Sequence, residues 1–223
     1  MPSRNLVLAP DEIYHIFNRG VARLPIFSRT KDYQRFLSLV DYYRFEETPT
    51  SYSHFNKLPE EMKEEIMASM QKEKKLHVKI LAFCLMPNHF HFILKQVSEF
   101  GITTFMRNLQ NGYVKYFNLK EDRVGPLFQS MFKSVRVESD EQLVHLSRYI
   151  HLNPSTSFLV KIENLEKYPW SSFKDYLSDN SAHFTHTEIV MGFFKNKDKY
   201  KEFVFNQADY QKELSRLKHL VLE

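Results

Sequence analysis

Apolar residues recur along this chain with two different periods, and the switches between them predict its elements. Residues 12–19 (EIYHIFNR) alternate and stop at Gly20, the pattern of a strand. Between Arg29 and Glu46 the apolar positions 33, 36, 37, 39, 40 and 43 have helical spacing. Residues 47–57 read as loop. Pro59 to Lys75 reads as a charged helix with Met62, Ile66, Met67 and Met70 on one side, an insertion packed on the surface. His77–Met86 and His89–Val97 are two apolar strands, and the Pro87-Asn88 pair between them marks a tight reversal. Ile102–Leu119 is helical and Lys133–Val137 is a short strand. Ser139 or Asp140 caps a further helix, expected to end at about His151 or Asn153 because Pro154 follows. Beyond residue 160 lies an aromatic, Lys-rich stretch with helical spacing at 186–195 and 198–219.

The order β-α-(insert)-β-β-α-β-α predicts an α+β fold. Its expected form is a ferredoxin-like β-α-β-β-α-β core with an antiparallel sheet, a helical insertion and a helical C-terminal tail. Residues 1–160 would form the main domain, with the insertion at about 47–76, and 161–223 a tail packing on it.

Composition changes this picture little. An apolar fraction of 43% in 223 residues supports a core, and most of the 20 Phe and 12 Tyr belong in it. Charge matters more by place than by total. The net charge is +4, and residues 101–137 alone carry Arg107, Lys115, Lys120, Arg123, Lys133 and Arg136 against Glu121 and Asp122. Clustered cations suit a phosphate backbone, although an ordinary solvated face has the same composition. The single cysteine, Cys84, excludes an internal disulfide and a Cys-based zinc site. It reads as a small buried hydrophobe in a reducing, cytoplasmic protein. Residues 1–10 do not read as a signal peptide, and no apolar run is long enough to span a bilayer. The five glycines build no phosphate-binding loop of the P-loop kind.

Two local patterns carry chemistry. In PNHFHFIL, His89 and His91 are two apart on a strand and project from one face, with Lys95 further along it and Phe90, Phe92 and Leu94 opposite. Paired neutral imidazoles are half of a metal site, so function is expected to fail in acid as histidine protonates. In LVHLSRYIHLNP, His145, Tyr149 and Asn153 share a helical face. Tyr149 is a candidate nucleophile and Asn153 a candidate oxygen ligand. Equally, each pattern alone is compatible with a structural role: a polar pair in a strand, and a half-buried tyrosine before a helix end.

Together with YHIFNRG, AFCLMPNHFHFIL, GPLFQSMFKSVRV and YPWSSF, in this order, they resemble the single-tyrosine transposases of the HUH nuclease superfamily, especially the REP-associated tyrosine transposase and insertion-sequence-like branch. The resemblance covers roughly residues 10–178. Phe90 is bulkier than the family's usual middle residue, and Ser155 departs from its usual valine. What the resemblance implies is a metal-dependent enzyme that cuts single-stranded or hairpin DNA through a 5′-phosphotyrosine on Tyr149, followed by strand transfer. His89, His91 and Asn153 would hold Mg²⁺ or Mn²⁺. Asn18, Arg19, Lys95, Arg107, Lys115, Arg123, Lys133 and Arg136 would contact DNA. His15 approaches the site but reads as structural, and Trp170 as packing. The partner is DNA and no membrane, and the protein would act as a monomer or homodimer. Rival readings are a catalytically inactive nucleic-acid-binding protein of the same fold, an HUH replication initiator or relaxase, and a metal hydrolase that does not use Tyr149.

Overall fold

The computed structural model of the protein describes residues 7–178 and 184–206. Four strands form one antiparallel sheet: β1 (Ile13–Arg19), β2 (Val78–Met86), β3 (His89–Gln96) and β4 (Lys133–Arg136), in the spatial order β2-β3-β1-β4. The β2–β3 hairpin closes through Pro87-Asn88, as the sequence predicts. Between β1 and β2 run α1 (Thr30–Tyr43), α2 (Tyr52–Phe55) and α3 (Glu60–Glu73). The short α2 lies in the stretch expected to be loop. Ser51 caps it, and Tyr52 and Phe55 are buried against Tyr42, so a few aromatic contacts order residues without helical periodicity. The α3 helix keeps its expected span and buries only Met70 fully.

The strands alternate, and the sheet uses both faces. Phe90, Phe92 and Leu94 of β3, with Tyr14 and Ile16 of β1, pack against α1 and α4 (Gly101–Lys120). On the other face Ile93, Cys84 and Met86 pack under α5 (Asp140–Thr156) and the chain that follows it. A bulge in β2 between Ile80 and Ala82 leaves Leu81 unpaired, so Leu81 and Ala82 both join this second core. Cys84 is fully buried, and burial pushes its thiol up, in keeping with a small inert hydrophobe.

The second core draws heavily on residues after 160. Phe173 and Tyr176 of α6 (Phe173–Leu177), Val190 of α7 (Glu188–Met191) and Tyr200 and Val204 of α8 (Lys197–Phe205) are all buried in it. Isolated bridges Cys84↔Ser171 and Ile80↔Thr185 cover the outer edge of β2. Trp170 stacks on Tyr33 at 4.6 Å and so packs this segment onto α1. The helical stretch expected at 186–195 shrinks to α7. The one expected at 198–219 is α8 as far as Phe205, and its remainder lies outside the described residues.

A polar thread ties α5 into this core. His151 is fully buried, with Nδ1 2.6 Å from the Tyr200 hydroxyl and Nε2 2.9 Å from Ser172 Oγ, which in turn accepts from the Phe83 N–H. Burial lowers the His151 imidazole to about 3. In the unfolded chain it would titrate near 6.5. Between those values the unfolded state binds more protons, so the contribution to stability is complete above pH 6.5 and is lost as pH falls toward 3. The urea midpoint should therefore drop steadily from pH 7 to pH 4. His151→Gln, less stable at pH 7, should show a shallower drop.

Two details place α5. The sequence expects the helix to stop before Pro154, but it continues to Thr156 with Pro154 inside. Proline removes the donor that would serve the Ile150 carbonyl. Asn153 Nδ2 lies 3.0 Å from the Tyr149 oxygen and 3.5 Å from that of Ile150, and supplies a donor in its place. Gly20, just after β1, is the second detail. A Cβ there would fall on the Leu24 carbonyl oxygen and 2.9 Å from Ile26 Cγ2. Gly20→Ala should cost about 1–3 kcal/mol of stability, measured by urea denaturation, because backbone rather than a flexible side chain must move.

Candidate active site

The register between β1 and β3 sets His89 opposite Arg19 and His91 opposite Phe17. Both histidines face the layer that contains α5. Tyr149 of α5 lies edge-on to His91, with ring centroids 5.7 Å apart, and edge-on to His15 at 6.3 Å. His89, His91, Tyr149 and Asn153 thus line one cleft of about 780 Å³, with Arg19, Arg23, Asn88, Gln129 and Lys133 on its walls. The sequence could pair His89 with His91 and Tyr149 with Asn153; the fold brings the two pairs together within one chain.

The histidines are prepared as lone-pair donors. Asn88 Nδ2 donates to the Arg23 carbonyl oxygen at 3.0 Å, and a carbonyl can only accept. Asn88 Oδ1 is therefore the atom 2.6 Å from His89 Nδ1, which must carry the proton. That leaves His89 Nε2 unprotonated. Burial lowers His89 to about 4, helped by the positive charge of Arg19. Burial first, then His89, His15 and Arg19, hold His91 well below its ordinary value. Both rings stay neutral in mild acid, so the acid limit lies below the ordinary imidazole range that the sequence suggested.

Asn153 has committed Nδ2 to the α5 backbone, which leaves Oδ1 for the cleft it lines. Among the described residues no group of three His, Cys, Asp or Glu side chains forms a metal site. The available donor set is two imidazoles and an amide oxygen, which fits a divalent cation that keeps several waters. Tyr149 is 39% exposed. Burial raises its hydroxyl above the ordinary phenol value, while Arg19 and the Asn153 amide pull the other way. At neutral pH it is a protonated phenol that needs help to attack.

Among the described residues, no carboxylate lines the cleft. Arg19, Arg23 and Lys133 have no ion-pair partner among the described residues, and so leave an uncompensated positive field where an anion would sit.

Residues 49–153 match the family described as transposase IS200 like, a span that includes both histidines, Tyr149 and Asn153. Over that span, a little under half of the chain, the sequence is similar to the IS200-like transposase family. A solved structure of a REP-associated tyrosine transposase bound to a REP hairpin has a TM-score of 0.52 to it, with 14% identity, covering 82% of this chain and 90% of that one. At that identity the likeness is one of fold: a four-stranded antiparallel sheet with helices. No curated protein matches the sequence.

Against this family background the predicted DNA contacts divide. Arg19 and Lys133 line the cleft, and so does Asn18, but Asn18 is 5% exposed and its amide is spent. Nδ2 donates to the Ser130 oxygen and Oδ1 accepts from the Arg19 N–H, so Asn18 braces the cleft wall. The rest of the expected basic stripe does not converge there. Lys95 pairs with Asp11 at 3.2 Å, Arg136 makes two bonds to Glu12, and Arg123 donates to the Pro126 carbonyl. Arg107 and Lys115 are exposed on α4, across the sheet from the cleft, and Lys120 is held by Asp32 at 2.6 Å. A stripe in sequence dissolved because helix α4 and strand β4 belong to different layers.

Sequence reasoning missed Asn88, Arg23 and Gln129, and left His15 as structural. Asn88 had a signal, its place beside His89 in a turn. Arg23 had none: it reaches the cleft through a short 3-10 turn, Val21–Arg23, in which Ala22 and Arg23 both have positive φ. Among the described residues no helix is long and apolar enough to cross a membrane.

Proposed function

We propose that this chain cuts and rejoins single-stranded or hairpin DNA through Tyr149, with a divalent Mg²⁺ or Mn²⁺ held by His89, His91 and the Asn153 oxygen. The observation that carries this reading is the Tyr149 ring set edge-on to His91 in a cleft where, among the described residues, three cations are unpaired and no carboxylate stands. The Tyr149 oxygen forms a bond to a backbone phosphorus, the bond from phosphorus to the 3′ oxygen breaks, and that oxygen leaves as a free 3′-OH. The product is a 5′-phosphotyrosine. Attack by another 3′-OH reverses the step and joins strands, with no ATP needed, in accord with the lack of a P-loop motif in the sequence.

When bound, the ion supplies Lewis-acid charge near the phosphate and the leaving oxygen. The chain's own groups do the rest. Arg19, Arg23 and Lys133 attract and orient the phosphate backbone. Asn88 keeps His89 in the ligating tautomer, and Asn153 stands one helical turn from Tyr149. Because one chain provides the whole set, cutting needs no second copy.

A ferredoxin-like assignment of the sheet is supported by its strand order with α1 and α4 on one face. The hairpin bound by the structural relative suggests the same substrate shape here.

The test is a labelled DNA hairpin with single-stranded flanks, incubated with the protein and Mn²⁺ and run on a denaturing gel. A DNA-linked protein band that disappears with EDTA is expected. Cleavage without any linked band would replace this reading by metal-assisted hydrolysis. An intact hairpin under all metal conditions would favour a protein that only binds DNA.

A further inference from the structure

We propose that His15 is a positioning residue: it holds His91 in the tautomer whose Nε2 lone pair faces the cleft and, on the metal-site reading above, keeps that lone pair ready for the ion. In the β1–β3 register His15 stands opposite Ile93 and Phe17 opposite His91, so His15 is the diagonal neighbour of His91 on the same face. Its Nε2 lies 2.9 Å from His91 Nδ1, and the two rings are stacked at 22°. Phe17 sits 4.7 Å from the His15 ring and 5.7 Å from that of His91, and restricts both from swinging away.

Two neutral imidazoles share this bond through one proton. In either arrangement one N–H is left without a described acceptor, His91 Nε2–H or His15 Nδ1–H. But if His15 Nε2 carried the shared proton, the His91 N–H would meet the cleft that holds Arg19, Arg23 and Lys133, and the lone pair would be lost to it. If His91 Nδ1 carries it, the bond is equally made and Nε2 is free. His91 is 7% exposed, and its Nε2 makes no hydrogen bond within the described residues. A ligating histidine ordinarily donates its second N–H to a nearby acceptor, which fixes its ring and tautomer. Asn88 stands in that place for His89, and His15 stands in it for His91. The difference is that the Asn88 Oδ1 atom can only accept, while His15 Nε2 accepts when the His15 proton is on Nδ1.

The experiment uses metal-free, ¹⁵N-histidine-labelled full chain. Long-range ¹H–¹⁵N NMR reads which ring nitrogen of His91 carries the proton, and calorimetry without DNA reads Mn²⁺ affinity. Wild type should show His91 protonated on Nδ1. His15→Phe, a flat ring with no acceptor, should move His91 toward the Nε2-protonated form and weaken Mn²⁺ binding about 10- to 100-fold. His15→Gln, which restores an acceptor, should recover most of both, and that recovery separates positioning from damage to the fold. An unchanged His91 tautomer in His15→Phe would overturn the proposal. A shifted tautomer with unchanged Mn²⁺ affinity would overturn its link to the ion. If wild type takes up no Mn²⁺, the metal reading of His89 and His91 fails, and the tautomer measurement still decides the role of His15.

Discussion

Tyr149→Phe should form no covalent adduct with hairpin DNA, and cleavage should fall by about 10⁴-fold or more, the scale on which losing a covalent nucleophile is felt. The substitution removes one oxygen. The ring keeps its edge-on contacts with His91 and His15, and the Asn153 bond to the Tyr149 backbone oxygen does not involve the hydroxyl, so the fold has little to lose. Thermal midpoints within a few degrees of wild type are expected. Arg19, Arg23 and Lys133 are untouched, so hairpin binding in a gel-shift assay should be nearly unchanged. This split between binding and chemistry is the useful readout. A Tyr149→Phe protein that still cleaves would remove Tyr149 from the mechanism, whatever its place in the cleft.

His89→Ala should weaken Mn²⁺ uptake by more than about 100-fold, beyond the range of outer-shell changes, and cleavage should fall with it. His89 is the better choice than His91 for this test. His91 is buried and bonded to His15, so truncating it leaves a cavity and an unpaired partner. His89 lies at the start of β3, is less buried, and loses its bond to Asn88 and an edge-on contact with His91. DNA binding should survive in large part. Cleavage by wild type that proceeds equally well in EDTA would rule out the ion, and an unaltered Mn²⁺ affinity in His89→Ala would remove His89 as a ligand.

Much of the candidate site was legible before the fold was seen, because its parts obey local rules. A two-residue repeat on a strand must present His89 and His91 together, and a four-residue repeat on a helix must present Tyr149 with Asn153. What escaped was of another kind. Asn18 looked like a DNA contact beside Arg19, yet its amide bonds to the oxygen of Ser130, more than a hundred residues away. Lys120 and Arg136 counted toward a basic stripe until Asp32 and Glu12 neutralised them across similar separations. The rule that proline ends a helix misjudged Pro154, because the side chain of Asn153 supplies the donor that proline lacks.

The sequence by itself determined the elements and their order, the inward faces of β3 and α5, and the chemical types available: two imidazoles, a phenol and an amide. These follow from the backbone periods and from the burial of apolar side chains, which act over a few residues. Only the tertiary structure decided that α5 lies over the sheet face carrying the histidines, with α1 and α4 on the other. Only it decided that Asn88 and His15 stand behind the two rings, and that the cleft holds three cations with no ion-pair partner among the described residues. Those outcomes depend on which surfaces bury each other and which polar groups meet across long loops. No local period records them.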